Sequence, residues 1–247
     1  METEWDYSDR ASTYDKRADY SEKAIEKLIT QTKTSPGKNV ADIGAGTGKL
    51  TKLLAGYSLK IYAVEPNDNM RMYGRRNTAD TDVVWSEGVG EKTCLPSSQF
   101  HAAFFGSSFN VLNQEETLKE VARILTPDGW FACMWNHRDL GDPLQKEIED
   151  IIHKFIPRFD YGKRRQDPTG VISQSNLFGV VETIEANFTV QMNRADILDA
   201  WRSHDTLFRQ SDGNFDEIIN EISSFLKHDS YKVPYCTRIW FSQLKAK

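Results

Sequence analysis

The stretch Val40-Ala41-Asp42-Ile43-Gly44-Ala45-Gly46-Thr47-Gly48-Lys49-Leu50 limits what this chain can fold into more than any other. Val40, Ala41 and Ile43 read as a short buried strand. Three glycines then supply a turn too tight for side chains, and Lys49-Leu50-Thr51-Lys52-Leu53-Leu54 opens a helix. Together they aim backbone N–H groups outward at a ligand. Two familiar ligands fit poorly: a dinucleotide fingerprint needs glycine where Lys49 stands, and a P-loop needs glycine and Ser/Thr where Ile43 and Leu50 stand. What remains is Asp-x-Gly-x-Gly-x-Gly with an acid, Glu65, ending the next strand 23 residues beyond Asp42. A carboxylate at that remove lies beside ribose hydroxyls. Asp42, just before the turn, would repel a pyrophosphate and suits a ligand carrying an ammonium group.

The remaining composition narrows the partners. At 247 residues the chain is long enough for one large α/β domain or a core with an inserted cap. A net charge of −5 argues against a broad basic face for nucleic acid. Cys94, Cys133 and Cys236 are far apart and odd in number, so neither a metal site nor a disulfide framework is expected, and a reducing cytoplasm fits. No apolar run approaches the roughly 18 residues of a membrane span, and the acidic N-terminus is unlike a signal peptide. The expected partner is a small molecule, bound by a monomer or homo-oligomer, with no nucleic acid and no membrane.

Along the chain, residues 1–20 alternate aromatics (Trp5, Tyr7, Tyr14, Tyr20) with charges and are expected to fold back as part of a lid, residues 1–35, whose helix follows Ser21. A core, residues 36–140, alternates strands with helices: strands at 40–43, 61–65, 83–85, 100–105 and 130–135, and helices after Lys49, Pro66 and Asn113. That rhythm implies parallel βαβ units with helices on both faces and a ligand beyond the C-terminal strand ends. Residues 141–178 read as a helix and a polar loop in which Lys163-Arg164-Arg165 is a solvated charge run. Residues 179–247 read as strands at Val180–Val190 and Thr237–Ser242 around a helical cap, 193–230, with two helical segments, Arg194–Phe208 and Phe215–Leu226. The expected fold is a doubly wound, mostly parallel, seven-stranded Rossmann-like α/β sheet with an antiparallel C-terminal hairpin.

The pattern resembles the class I S-adenosylmethionine (SAM) dependent methyltransferases, and within them the small-molecule, trans-aconitate-methyltransferase-like group. The resemblance is carried by Tyr14-Asp15-Lys16-Arg17-Ala18-Asp19-Tyr20, the glycine turn, Val64-Glu65-Pro66-Asn67, Gly88-Val89-Gly90-Glu91, Ala122-Arg123-Ile124-Leu125 and Trp135-Asn136-His137-Arg138-Asp139. It implies that SAM binds and leaves as S-adenosylhomocysteine. It also implies a cofactor site made of Asp42, Gly44, Ala45, Gly46, Glu65, Pro66, Met70, Gly88, Val89, Gly90, Glu91, Gly106, Ser107, Tyr14 and Arg17. In that reading Glu65 holds the ribose and the 88–91 loop borders the adenine. Val89 departs from the family, which often has an acid there, and Asn110-Val111 replaces a common His-Trp pair.

A sulfonium methyl is already activated, so the protein has mainly to place a nucleophile about 3 Å away and exclude water. Aromatic faces favour a sulfonium. The acceptor pocket is therefore expected from Tyr7, Phe109, Asn110, Trp135, Asn136, Arg138, Trp201 and His204, with Tyr14 and His137 as candidate catalytic groups where a hydroxyl must lose its proton. Gly106-Ser107-Ser108-Phe109 matches neither the Asn/Asp-Pro-Pro-aromatic motif of exocyclic-amine methylation nor a Pro-Cys nucleophile. An N or O atom of a small molecule is the expected acceptor. The alternatives are an RNA or protein acceptor, which would need a basic pocket mouth, and a non-catalytic SAM-binding subunit.

Overall fold

The computed structural model describes residues 16–246, without the side chains of Lys163 and Arg164. Seven strands form one sheet: β1 (Asn39–Ile43), β2 (Lys60–Val64), β3 (Val84–Ser86), β4 (Phe100–Gly106), β5 (Leu125–Arg138), β6 (Glu182–Asn193) and β7 (Ser230–Gln243). Their order is β3-β2-β1-β4-β5-β7-β6, with β1 to β5 parallel and β7 antiparallel to both β5 and β6. The expected doubly wound sheet with an antiparallel hairpin is therefore present, and its winding reverses between β1 and β4. That reversal leaves a crevice at the strand tips.

Alternation along the strands assigns the helices to faces. Val40, Phe104 and Ala132 point one way, against α1 (Glu22–Gln31) and α2 (Lys49–Ala55); Ala41, Phe105 and Phe131 point the other way, against α4 (Gln114–Ile124). α1 begins where the Ser21 hydroxyl accepts from Ala24 N, and it buries Ala24, Ile25, Leu28 and Ile29 as one stripe. α3 (Asp68–Asn77) is capped by Asn67, and its Gly74 lets the Trp85 ring lie flat against the helix, since a Cβ there would come within 2.1 Å of it.

After β5 the chain builds a second apolar centre. α5 (Pro143–Phe155) starts with Asp142 accepting from two backbone N–H groups and Pro143 in its first turn. The far ends of β6 and β7 run past the sheet and carry Met192, Val233 and Tyr235 into a cluster with α5, α7 (Arg194–Arg202), α8 (Asp205–Gln210) and α9 (Phe215–Phe225). The cap thus has three helices where two segments were expected; His204, capping α8 through its ring, breaks the first segment. The polar stretch after Pro157 holds a 3-10 turn, Gly162–Arg165, and α6 (Thr169–Gln174), whose Ile172 is buried against the α4 face. The sixth strand starts later than expected, leaving Val180 exposed. Among the described residues no helix is long and apolar enough to cross a membrane.

Candidate active site

Beyond the tips of β1 and β4 lies a cleft open to solvent. Its floor is the glycine turn. Gly44 and Gly46 have φ of 68° and 57°, a region L side chains rarely adopt, and a Cβ on Gly44 would stand 2.5 Å from Ser108 Cβ. The turn is fastened to β2: Gly44 N and Ala45 N donate to Val64 O at 2.8 and 3.0 Å. Gly46 N donates to Glu65 Oε2 at 2.8 Å, and Asn67 N donates to Glu65 Oε1 at 2.9 Å. Each oxygen of Glu65 is held by one backbone N–H and keeps acceptor capacity for a second donor. Burial pushes the Glu65 carboxyl up, and the bonds from Asn67 and Gly46 pull it back.

Asp42 lies beneath the turn, fully buried, yet lines the cleft. Its Oδ2 accepts from Thr51 Oγ1 at 2.6 Å; its Oδ1 has no hydrogen-bond partner among the described residues. Burial is the main reason its carboxyl is raised to about 7, with the Thr51 bond opposing and the charge of Glu65 adding. An idle, buried carboxylate oxygen beside open space fits a cationic group and little else. These residues therefore fit SAM: a carboxylate for an ammonium, and a second, backbone-aligned carboxylate for vicinal hydroxyls.

One side of the cleft is a strap, residues 16–21. Arg17 donates from Nε to Ser203 Oγ at 2.8 Å and from a terminal nitrogen to Ser203 O. Tyr20 OH and Ser107 Oγ lie 2.8 Å apart. The cleft is also walled by His137, Arg138, Tyr161, Arg165, His204 and Tyr235. The Arg138 guanidinium lies 4.1 Å above the Trp201 ring, which in turn stacks on His204. Arg165 lies 4.6 Å above Tyr161 and donates to Arg138 O at 2.9 Å. Burial lowers the pKa of Arg165 and pushes the Tyr161 hydroxyl well above its ordinary value, so Tyr161 is a neutral donor. Glu149 on α5 acts on both, but no described carboxylate is within ion-pair distance of Arg138 or Arg165. The wall thus carries two guanidinium groups, with the Glu149 carboxylate acting on Arg165 and Tyr161 from α5.

The residues expected at the site divide accordingly. Asp42, Gly44, Ala45, Gly46, Gly106, Ser107, Arg17, Trp135, Asn136, His137, Arg138 and His204 all line the cleft. Glu65, Pro66, Met70 and Gly88–Glu91 lie outside its walls, at the neighbouring tips of β2 and β3; Val89 pairs with Lys92, and Glu91 accepts from Asn113 N at 2.6 Å. Met70 is buried in α3. Phe109 does not face the acceptor: it is fully buried with its ring against Phe105 and Phe131. Asn110 accepts from Trp135 Nε1 at 2.8 Å, which orients the indole and takes Asn110 out of the lining. Trp201 is buried in the cap and supports Arg138 from behind. Tyr7 and Tyr14 lie outside the described residues. Tyr161, Tyr235, Lys49 and Thr47 line the cleft without having been expected, and Arg165, read as part of a solvated run, is half-buried on its wall. Thr47 and Lys49 belong to the glycine turn itself, whereas only chain topology brings Tyr161, Arg165 and Tyr235 to it. Among the described residues no group of His, Cys, Asp or Glu is placed to hold a metal.

Residues 41–133 match a methyltransferase-domain family. An uncharacterized methyltransferase of Mycobacterium tuberculosis is 30% identical over 136 residues, 55% of this chain and 54% of that protein. The ubiquinone/menaquinone biosynthesis C-methyltransferase UbiE of Caulobacter vibrioides is 25% identical over 167 residues, 60% of this chain and 66% of that protein. The first of these matches spans about half of its relative's length. Among solved structures, phosphoethanolamine N-methyltransferase 2 of Haemonchus contortus, in complex with SAM, shares the fold with a TM-score of 0.56 at 14% identity, covering 96% of this chain and 57% of that one.

Proposed function

We propose that this chain is a class I SAM-dependent methyltransferase and that it transfers the methyl group of SAM to an oxygen or nitrogen of a small, anionic acceptor. The observation that carries the cofactor is Asp42: a fully buried carboxylate with an idle oxygen at the cleft floor, on the strand next to that of Glu65, which is aligned by Gly46 N and Asn67 N. The observation that carries the acceptor is the cationic wall of Arg138 and Arg165 beside the neutral hydroxyl of Tyr161.

When bound, SAM supplies a methyl group on a sulfonium, activated for in-line displacement. The chain then has to bind, orient and dry the site. Asp42 and Glu65 accept from an ammonium and from ribose hydroxyls, and the left-handed glycines allow backbone to approach where a side chain would not fit. Arg138 and Arg165 hold an acidic group of the acceptor; guanidinium forks suit carboxylate or phosphate oxygens. An ionised carboxylate oxygen carries its own lone pair, so methylating it needs no base, and His137 then orients rather than abstracts. The strap covers the cleft against water.

The reading is tested with methyl-labelled SAM and a panel of di- and tricarboxylates, phosphomonoesters, amines, RNA and protein extract. Label entering acids, with mass spectrometry placing the methyl on O or N, is the expected result. Label confined to RNA, protein, neutral amines or a carbon atom overturns the acceptor assignment.

A further inference from the structure

We infer that Asn136 and Thr237 are positioning residues that latch the strap over the cofactor, and that breaking the latch speeds cofactor release. The inference rests on the cofactor reading above and adds a role for Asn136, which lines the cleft, and for Thr237 beside it. Thr237 Oγ1 accepts from Ser21 N at 2.9 Å and donates its only proton to Asn136 Oδ1 at 2.5 Å. That donation fixes which way the Asn136 amide faces. Its Nδ2 therefore points at the strap, donating to Ala18 O at 3.1 Å and Asp19 O at 2.8 Å. Asn136 sits on β5 and Thr237 opposite it on β7, in register, so the rigid sheet holds both. Thr237 is fully buried.

The strap they hold carries Arg17, Ala18 and Tyr20 along the cleft. Its other ties are Arg17 to Ser203 of the cap, Lys49 to Asp19 at 2.8 Å, Lys16 to Asp196 at 3.5 Å, and the Tyr20 hydroxyl to Ser107. Exposed ion pairs contribute little. The half-buried Asn136 and the buried Thr237 fasten the strap's own backbone to the sheet, where Arg17 fastens it only to the cap, and they hold it beside Tyr20, whose OH lies 3.0 Å from the position a Cβ on Gly106 would take. In this latch, lifting of the segment is the step that speeds the release of a ligand lying on the glycine turn.

The test uses Asn136→Asp, which keeps shape and the acceptor for Thr237 but sets a carboxylate against two carbonyls, together with Thr237→Val and Thr237→Ser. Two measurements are made on each: the dissociation rate of S-adenosylhomocysteine, and hydrogen exchange of the strap amides without ligand. Asn136→Asp is expected to release S-adenosylhomocysteine about tenfold faster or more, with a much smaller change in association rate. Thr237→Val is expected to do the same to a lesser degree and to speed exchange of the Ser21 amide, while Thr237→Ser restores wild-type values on both readouts. Equal effects of Thr237→Val and Thr237→Ser, or release and exchange within twofold of wild type in Asn136→Asp, overturn the latch. Wild-type protein that fails to bind S-adenosylhomocysteine overturns the cofactor reading instead, and the exchange measurement still decides whether the latch exists.

Discussion

Asp42 shows how one residue can be costly to the fold and useful to the site. Its carboxyl titrates near 7 in the folded chain, against about 4 in an unfolded one. The folded state therefore prefers the protonated form. The contribution of Asp42 to stability is greatest below pH 4, declines as pH rises toward 7 by at most about 1.4 kcal/mol per unit, and is flat above 7. A bound ammonium reverses the preference, so cofactor affinity is expected to weaken about tenfold per pH unit below 7. Asp42→Asn should abolish both trends, raising the melting temperature of the free protein at pH 8 while weakening cofactor binding; calorimetry across pH reads the two together. Gly44 is constrained differently. Gly44→Ala meets a left-handed φ and the Ser108 side chain at once, and a loss of about 2 kcal/mol or more is expected in denaturant titration. Arg138→Gln leaves the turn untouched, so acceptor KM should rise at least tenfold with cofactor affinity unchanged.

The elements differ in how far they were legible in advance. Strand, glycine turn and helix around Val40–Leu50 depend on neighbouring residues alone, so local pattern sufficed to place Asp42, Gly44 and Gly46 on the cleft. The cap was harder. His204 splits its first helix by capping the next one with a ring nitrogen, a role its residue type does not advertise. Phe109 and Trp201 are large aromatics near the site in sequence or in the cap, and both turn into hydrophobic clusters. Arg165, Tyr161 and Thr237 meet the site through contacts across the whole chain, which no spacing rule reads. Trp201 is the element-scale test: Trp201→Ala removes a buried ring and the platform under Arg138. A destabilisation of about 3–5 kcal/mol is expected, and Trp201→Phe should recover most of it while acceptor KM stays raised.

At the scale of the molecule, a chain of net charge −5 keeps a cationic wall inside a cleft rather than on its surface. Such a field favours a small anion that can enter over a polyanion that cannot. The sheet supplies the floor of the cleft, the elongated β6–β7 hairpin carries the cap, and the strap is tied to that cap through Arg17 and Ser203. The most direct measurement of the central claim is calorimetric titration with S-adenosylhomocysteine at pH 8, beside NAD and ATP, on wild-type protein and Glu65→Ala. One-site binding of S-adenosylhomocysteine alone, weakened about a hundredfold or more in Glu65→Ala, is expected from the loss of charged hydrogen bonds. Binding of NAD or ATP in its place, or wild-type affinity in Glu65→Ala, would contradict it.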